Sequence, residues 1–339
     1  MISYRIYDMK NKEKNMNDKT VTFAAFTDLH LDLMHDGEKR MEVFFREAEE
    51  ADVDFIIQLG DLCYPRGILG VAPEAILPVN LLIAMEHPPI QPGKETVLER
   101  LRSFPKPAYF VLGNHDMDFC SKKEAMEVYN MSSPYYAFHL KGWHFLVLDG
   151  NHYRNDEGEL KDFGYAASYY RDLPYLGKEQ LDWLKNELTS SDEPAVLFCH
   201  QPMYRKVREF RDLTEFQEVI SFVKKRGKKI RLCMNGHLHI DDLHIEEGTV
   251  FHSLNSISNF WAGEEYETLR YAEEIDRDYP SLRYTFPYKK PVFAIITLTD
   301  RELVIKGRHS GFVQPGARHF SVRPMPLSCV RSHHLVWPE

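Results

Sequence analysis

The chain has 339 residues, 43% hydrophobic and 27% charged, which supplies ample material for a sizeable core and an ordinary hydrophilic surface. Its formal net charge of -9 argues against a nucleic-acid or anionic-membrane surface, since both need exposed Lys and Arg to neutralise phosphates. The same charge leaves room for a phosphate substrate, because bound cations can supply local positive charge within an acidic protein.

Five cysteines (Cys63, Cys120, Cys199, Cys233 and Cys329) are scattered without a Cys-x-x-Cys pair, the pattern of free thiols in a reducing compartment. Residues 1–20 are polar, with no apolar run able to act as a signal peptide, and nothing approaches the ~18 apolar residues of a membrane span. The expected location is cytoplasmic, with no membrane and no nucleic-acid partner. Met16 stands just before the first apolar run, so residues 1–15 read as a disordered tail or as the product of an upstream start.

In chain order, residues 21–26 read as a strand ending in Thr27-Asp28-Leu29-His30. A helix follows over 40–50, with Met41, Phe44, Phe45 and Ala48 on one face, and then a short apolar strand over 54–59 that stops at Gly60-Asp61. Strand, helix and strand with short links is the pattern of a sheet covered by helices. Residues 64–107 break the rhythm with eight prolines and read as an insertion, in which any helix must be short. Residues 108–112 resume the sheet and run into Gly113-Asn114-His115-Asp116.

A hairpin is expected over 135–140 and 143–148, turning at Lys141-Gly142 and leading into an aromatic-rich loop over 151–175. Leu181, Leu184 and Leu188 mark a helix over 178–188, and a strand over 195–199 ends in His200. A helix over 213–225 leads to a strand over 230–234, which ends in Asn235-Gly236-His237-Leu238-His239. Strands over 243–245, 250–254, 292–299 and 303–307 follow without intervening helices, interrupted by an insertion at about 260–290. One domain over 21–310 is expected, with the rest, 311–339, as a tail without clear periodicity packed against it.

The polar clusters recur where apolar strands end, which is where open α/β sheets place ligand sites. In Asp28-x-His30 an extended backbone would point a carboxylate and an imidazole to one side, so that both reach one cation; capping of a turn by Asp28 is the plainer reading. Gly60 permits a tight turn, and Asp61 offers two oxygens, enough to bridge two ions or simply to end a strand. In Gly113-Asn114-His115-Asp116 the Asn114 amide oxygen suits a hard cation. His115 would then sit beside the metals as a proton donor, with Asp116 orienting its ring. His200 alone reads equally as a structural histidine. His237 and His239, two apart on extended backbone, would stand about 6–7 Å from each other, which suits one ligand for each of two metals roughly 3.5–4 Å apart.

Taken together, Asp-x-His, Gly-Asp, Gly-Asn-His-Asp, His and Gly-His-x-His resemble the calcineurin-like metallophosphoesterase superfamily, most nearly its bacterial class III cyclic-nucleotide phosphodiesterase branch. Gln180-Leu181-Asp182-Trp183-Leu184 and His200-Gln201-Pro202 are similar to that branch as well. The resemblance implies an α/β fold, a four-layer α-β-β-α sandwich of two mixed sheets flanked by helices. It also implies one metal on Asp28, His30, Asp61 and His239, and a second on Asp61, Asn114, His200 and His237. His115 matches the family's histidine that does not bind metal.

The implied activity is hydrolysis of a phosphate ester by water activated at two divalent or trivalent ions (Mn, Fe or Zn). The leading expectation is a small-molecule diester such as a nucleotide, with a phosphomonoester or nucleotide pyrophosphate as the alternative and a non-catalytic scaffold behind both. Tyr64, Asn151, His152, Tyr204 and Trp261 follow the motifs or lie in aromatic loops, so they are candidates either to line the substrate pocket or to pack beneath loops. The chain departs from the superfamily at Leu62-Cys63-Tyr64-Pro65, where a short polar stretch gives way to a long insertion.

Overall fold

The computed structural model describes residues 19–62, 94–118, 120–164, 174–204 and 210–337. In chain order the strands of the first half are β1 (Val21–Phe26), β2 (Phe55–Gln58), β3 (Ala108–Phe110), β4 (Tyr136–Leu140), β5 (Trp143–Val147), β6 (His152–Arg154), β7 (Leu160–Asp162) and β8 (Ala195–Phe198). Those of the second half are β9 (Ile230–Asn235), β10 (Asp242–Glu246), β11 (Thr249–Ser253), β12 (Asn259–Trp261), β13 (Thr285–Pro287), β14 (Ala294–Leu298), β15 (Glu302–Gly307) and β16 (His333–Val336). The helices are α1 (Gly37–Glu50), α2 (Lys94–Arg102), α3 (Lys122–Val128), α4 (Lys178–Ser190), α5 (Leu213–Lys224) and α6 (Glu273–Asp278).

Two six-stranded mixed sheets carry the architecture, ordered β16-β15-β14-β1-β2-β3 and β10-β11-β9-β8-β5-β4. In the first, β1, β2 and β3 run parallel and β14, β15 and β16 are antiparallel to their neighbours. In the second, β5, β8, β9 and β11 run parallel, with antiparallel partners β4 and β10 at the edges. The four-layer α-β-β-α arrangement follows from the period-2 alternation of side chains along each strand.

On β1, Phe23 and Ala25 face the second sheet, where they meet Phe145, Val147, Val196 and Phe198, whereas Ala24 and Phe26 face outward onto Met41, Phe44, Phe45 and Ala48 of α1. The second sheet repeats the rule. Leu146 and Leu197 turn outward to Leu181, Leu184 and Leu188 of α4 and to Phe216, Ile220 and Val223 of α5. Three apolar clusters therefore fill the three gaps between four layers. At the centre of the middle gap Phe23 stacks on Phe55 at 4.8 Å and meets Phe198 edge-on at 5.8 Å. A Phe→Ala truncation in such a position costs about 3–5 kcal/mol.

The structure adds elements that composition hid. A nine-residue helix, α2, closes the proline-rich insertion, and β6 pairs with β7 inside the aromatic loop. β12 and β13 form a ribbon in the second insertion. The aperiodic tail supplies β16, which pairs with β15 at the edge of the first sheet. Behind it, Arg331 binds the buried Asp241 through its backbone N–H and its Nε, at 3.1 and 2.6 Å, and so straps the tail to the loop after β9. Cys120, Cys199, Cys233 and Cys329 are buried and unbridged. No helix among the described residues is long and apolar enough to cross a membrane.

Candidate metal centre

The polar loops at the C-terminal ends of β1, β2, β3, β8 and β9 converge. Asp28, His30 and His239 form one group and Asp61, His200 and His237 a second, each with ligand atoms within 4.8 Å of one another. In the first group His239 Nε2 lies 3.2 Å, and His30 Nε2 4.0 Å, from Asp28 Oδ1. In the second, His200 Nε2 lies 3.1 Å from Asp61 Oδ2 and 3.2 Å from His237 Nδ1. Asp61 Oδ2 is also 3.8 Å from His30 Nε2, so this carboxylate faces imidazoles of both groups.

The backbone that presents these side chains is not the extended one expected from the Asp-x-His and His-x-His spacing. Asp28, His30, Asp61, His237 and His239 all have φ between 49° and 67°, half of the ten non-glycine residues with positive φ among the described residues. Such a conformation costs on the order of 1 kcal/mol or more per residue. Hydrogen bonds hold it in place: Asp28 N–H donates to the Gly60 carbonyl, His30 N–H to the Asp61 carbonyl, and His237 N–H to Asp28 Oδ2 at 3.0 Å. The kink also sends His237 and His239 into different groups. Gly60 has φ +101°, and a Cβ there would lie 2.2 Å from His200 Nδ1, so both its backbone angle and the ring behind it require glycine.

The donor chemistry fits metal ions. His200 and His239 donate Nδ1–H to the carbonyls of Leu59 and Asn259, at 2.8 and 3.0 Å, which leaves Nε2 as a lone-pair donor on each ring. Asn114 is 7% exposed, and its Oδ1 has no hydrogen-bond partner among the described residues, as expected of a neutral oxygen set aside for a cation. Burial alone would raise the Asp28 carboxyl, yet His239 and His200 hold it at about 2. Burial pushes the His30 ring down to about 3, against the pull of Asp61. Both groups are thereby kept in the deprotonated form that binds metal.

His115 lies beside the cluster with its ring 5.5 Å from that of His30, and its N–H donates to Asp61 Oδ1 at 2.8 Å. Sequence reasoning gave its orientation to Asp116, and the structure corrects this. Asp116 Oδ2 accepts from the N–H groups of Asp61 and Gly113, while Oδ1 accepts from Leu62 N–H and the Tyr129 hydroxyl, so its carboxylate rivets the two loops together. The ring Nδ1 of His115 instead meets Asp118 Oδ2 at 2.7 Å. Residues 115–117 form a 3₁₀ turn, in which positions i and i+3 eclipse. Burial works against a charged ring at His115, but Asp118 and then Asp61 outweigh it and raise the pKa to about 10. Thr27 was also missed. Its hydroxyl donates to Asp28 Oδ2 at 2.7 Å and helps aim that carboxylate.

The candidate substrate contacts fare differently. Asn151 is fully buried and spends its amide on the Leu112 carbonyl, Asp149 and Gln201, so it packs beneath the loop. His152 is bound through Nδ1 to the Tyr175 carbonyl and lies against Lys122 and Asp162. Tyr204 bonds Asp242 and stacks on His244 at 4.8 Å, beside β10. Trp261 is 46% exposed on the β12–β13 ribbon, two residues beyond the Asn259 carbonyl that holds His239. Tyr64 and Cys63 lie outside the described residues.

Residues 21–241 match the calcineurin-like phosphoesterase family, and that span contains every motif described above. The chain belongs to this family, a class of metal-dependent phosphoesterases. Among solved structures, a dimetal phosphatase from Danio rerio shares the fold with a TM-score of 0.60 and 14% identity, over 94% of this chain and 99% of that one. GAP50, the anchor in the inner membrane complex of Plasmodium, has a TM-score of 0.50 and 12% identity, over 94% and 90%. A curated Synechococcus protein described as a probable cyclic nucleotide phosphodiesterase is 26% identical over 162 residues, which cover 43% of this chain and 53% of that protein. The chain thus spans about half the length of this curated relative.

Proposed function

We propose that the chain hydrolyses a small-molecule phosphodiester, such as a nucleotide. One ion would be held by Asp28, His30, Asp61 and His239, and a second by Asp61, Asn114, His200 and His237. The observation that carries this reading is the meeting of the two groups at Asp61, with His115 alongside. Preference for a diester rests on the Synechococcus relative. Imidazole, carboxylate and amide donors without a thiolate suit Mn, Fe or Zn.

When bound, two such ions supply Lewis acidity to the phosphoryl oxygens and lower the pKa of a water toward ~7. The protein's own residues provide the rest. Asp118 fixes the His115 ring through Nδ1 and, with Asp61, favours its protonated form, so that Nε2–H is available to protonate the departing oxygen. Asp116 keeps the loops bearing Asp61 and Asn114 in register. His115 and His237 are the members of the constellation left partly open to solvent, which makes this the side from which an ester enters.

The test is hydrolysis of bis-p-nitrophenyl phosphate beside p-nitrophenyl phosphate, after chelation and return of Mn²⁺. Metal-dependent cleavage favouring the diester supports the proposal. Preference for the monoester would make the protein a phosphomonoesterase, and the absence of metal-dependent turnover on either would overturn the hydrolytic reading.

A further inference from the structure

At the other end of the second sheet, His139 and His144 face each other directly across the β4–β5 hairpin. Their rings are stacked, with centroids 4.2 Å apart. Glu187, in the last turn of α4, completes a group whose ligand atoms all lie within 4.8 Å of one another. His144 is fully buried, and neither of its ring nitrogens has a hydrogen-bond partner among the described residues. Its Nε2 does lie 3.3 Å from Glu187 Oε1, without the alignment of a hydrogen bond. Two ligands about 2.1 Å from one tetrahedral ion stand roughly 3.4 Å apart, so this gap has the size of a shared cation.

Glu193, on the link from α4 to β8, binds His139 Nδ1 at 2.5 Å and leaves Nε2 of that ring for an ion, in the manner of a carboxylate–histidine–metal relay. His139 is half exposed and provides the entry path. Burial, then His139 and Lys228, lowers the His144 ring to about 4, which favours the neutral imidazole with one lone-pair nitrogen. Lys228 is itself turned to the Ser191 carbonyl at 2.7 Å.

We propose that His139, His144 and Glu187 form a second, structural metal site, separate from the candidate centre, that takes a divalent transition ion such as Zn²⁺ with Glu193 supporting His139. His144 pairs with Ala195 at the start of β8, whereas His200 follows the end of that strand. Five residues of nearly extended chain put the two sites roughly 16 Å apart. The ion would tie β4, which ends the second sheet among the described residues, to α4.

Zinc alone is the probe. The full chain and the variants His139→Ala and Glu187→Gln, both altered at partly exposed side chains, are equilibrated with excess Zn²⁺, freed of unbound metal and counted for zinc per chain. One equivalent fewer in each variant than in the parent, with diester hydrolysis unchanged within about 2-fold, is the expected result. Equal zinc counts in parent and variants overturn the site, as does loss in only one variant. Glu193→Gln should weaken zinc binding by about 10–100-fold, the usual effect of losing an outer partner.

Discussion

The two halves of the candidate centre follow the same recipe and differ in exposure. Each combines an aspartate from the first sheet with histidine from the second: Asp28 with His239, and Asp61 with His200 and His237. In the Asp28 half every side chain is nearly inaccessible, and burial drives the His30 ring down to about 3. In the Asp61 half, His200 is fully buried between Asp61 and the Leu59 carbonyl, while His237 stays partly open. Under the proposed function this difference amounts to a division of labour, in which the sealed half would hold its ion and the open half would meet the substrate.

Asp61→Asn should break the comparison most completely, because it removes the charge that faces both halves. Metal content should fall in both, and turnover should drop by more than the roughly 10²–10⁴-fold that loss of an acid catalyst costs; full occupancy of both positions would contradict its shared role. His115→Ala comes next. It should lower turnover by about 10²–10⁴-fold while metal content by mass spectrometry stays at the parent value, and unaltered turnover in a folded variant would remove His115 from the reaction.

His239→Ala and His237→Ala separate the halves. Each should lose one metal equivalent, with affinity falling by at least the ~10–100-fold typical of disturbing an outer partner. Only the His237 change, at the open side, should also raise KM. Equal kinetic profiles would make the halves equivalent.

The smallest effect is expected from Asp118→Asn, about 10-fold on turnover at neutral pH. Asp118 raises the pKa of His115, so its neutralisation lowers that pKa. A proton donor works only below its pKa, and the alkaline decline of kcat/KM should therefore begin at lower pH in this variant. An unshifted profile would assign Asp118 a purely structural part.

Much of this was legible before any coordinates because the signals were local. Apolar runs of four to six residues, each stopped by a polar ligand type and, after β2 and β9, by glycine as well, mark strands β1, β2, β8 and β9, and the alternation along them dictates the layers. What escaped depends on backbone geometry that spacing does not encode. Asp118 reaches His115 only because residues 115–117 wind as a 3₁₀ turn, and Asp116 was given its place on adjacency alone. Spacing already suggested one of His237 and His239 for each of two metals, but it gave the motif backbone as extended, whereas five motif residues have positive φ. For Asn151 and His152, in the aromatic-rich loop, sequence left pocket lining and packing beneath the loop both open, because their partners, Leu112, Gln201 and Tyr175, are contributed from elsewhere in the chain. β16 was hidden by its length of four residues and its two histidines; pairing with β15 makes it a strand.

Because each half of the centre draws on both sheets, neither half exists until the sandwich has closed. A chain with only one sheet formed would offer Asp28, His30, Asp61 and Asn114, or His200, His237 and His239, and neither set completes a proposed site. Uptake of the proposed ions would therefore be a checkpoint on assembly, adding stitches between two leaves already joined by apolar packing and by hydrogen bonds such as His200 to the Leu59 carbonyl and His237 to Asp28.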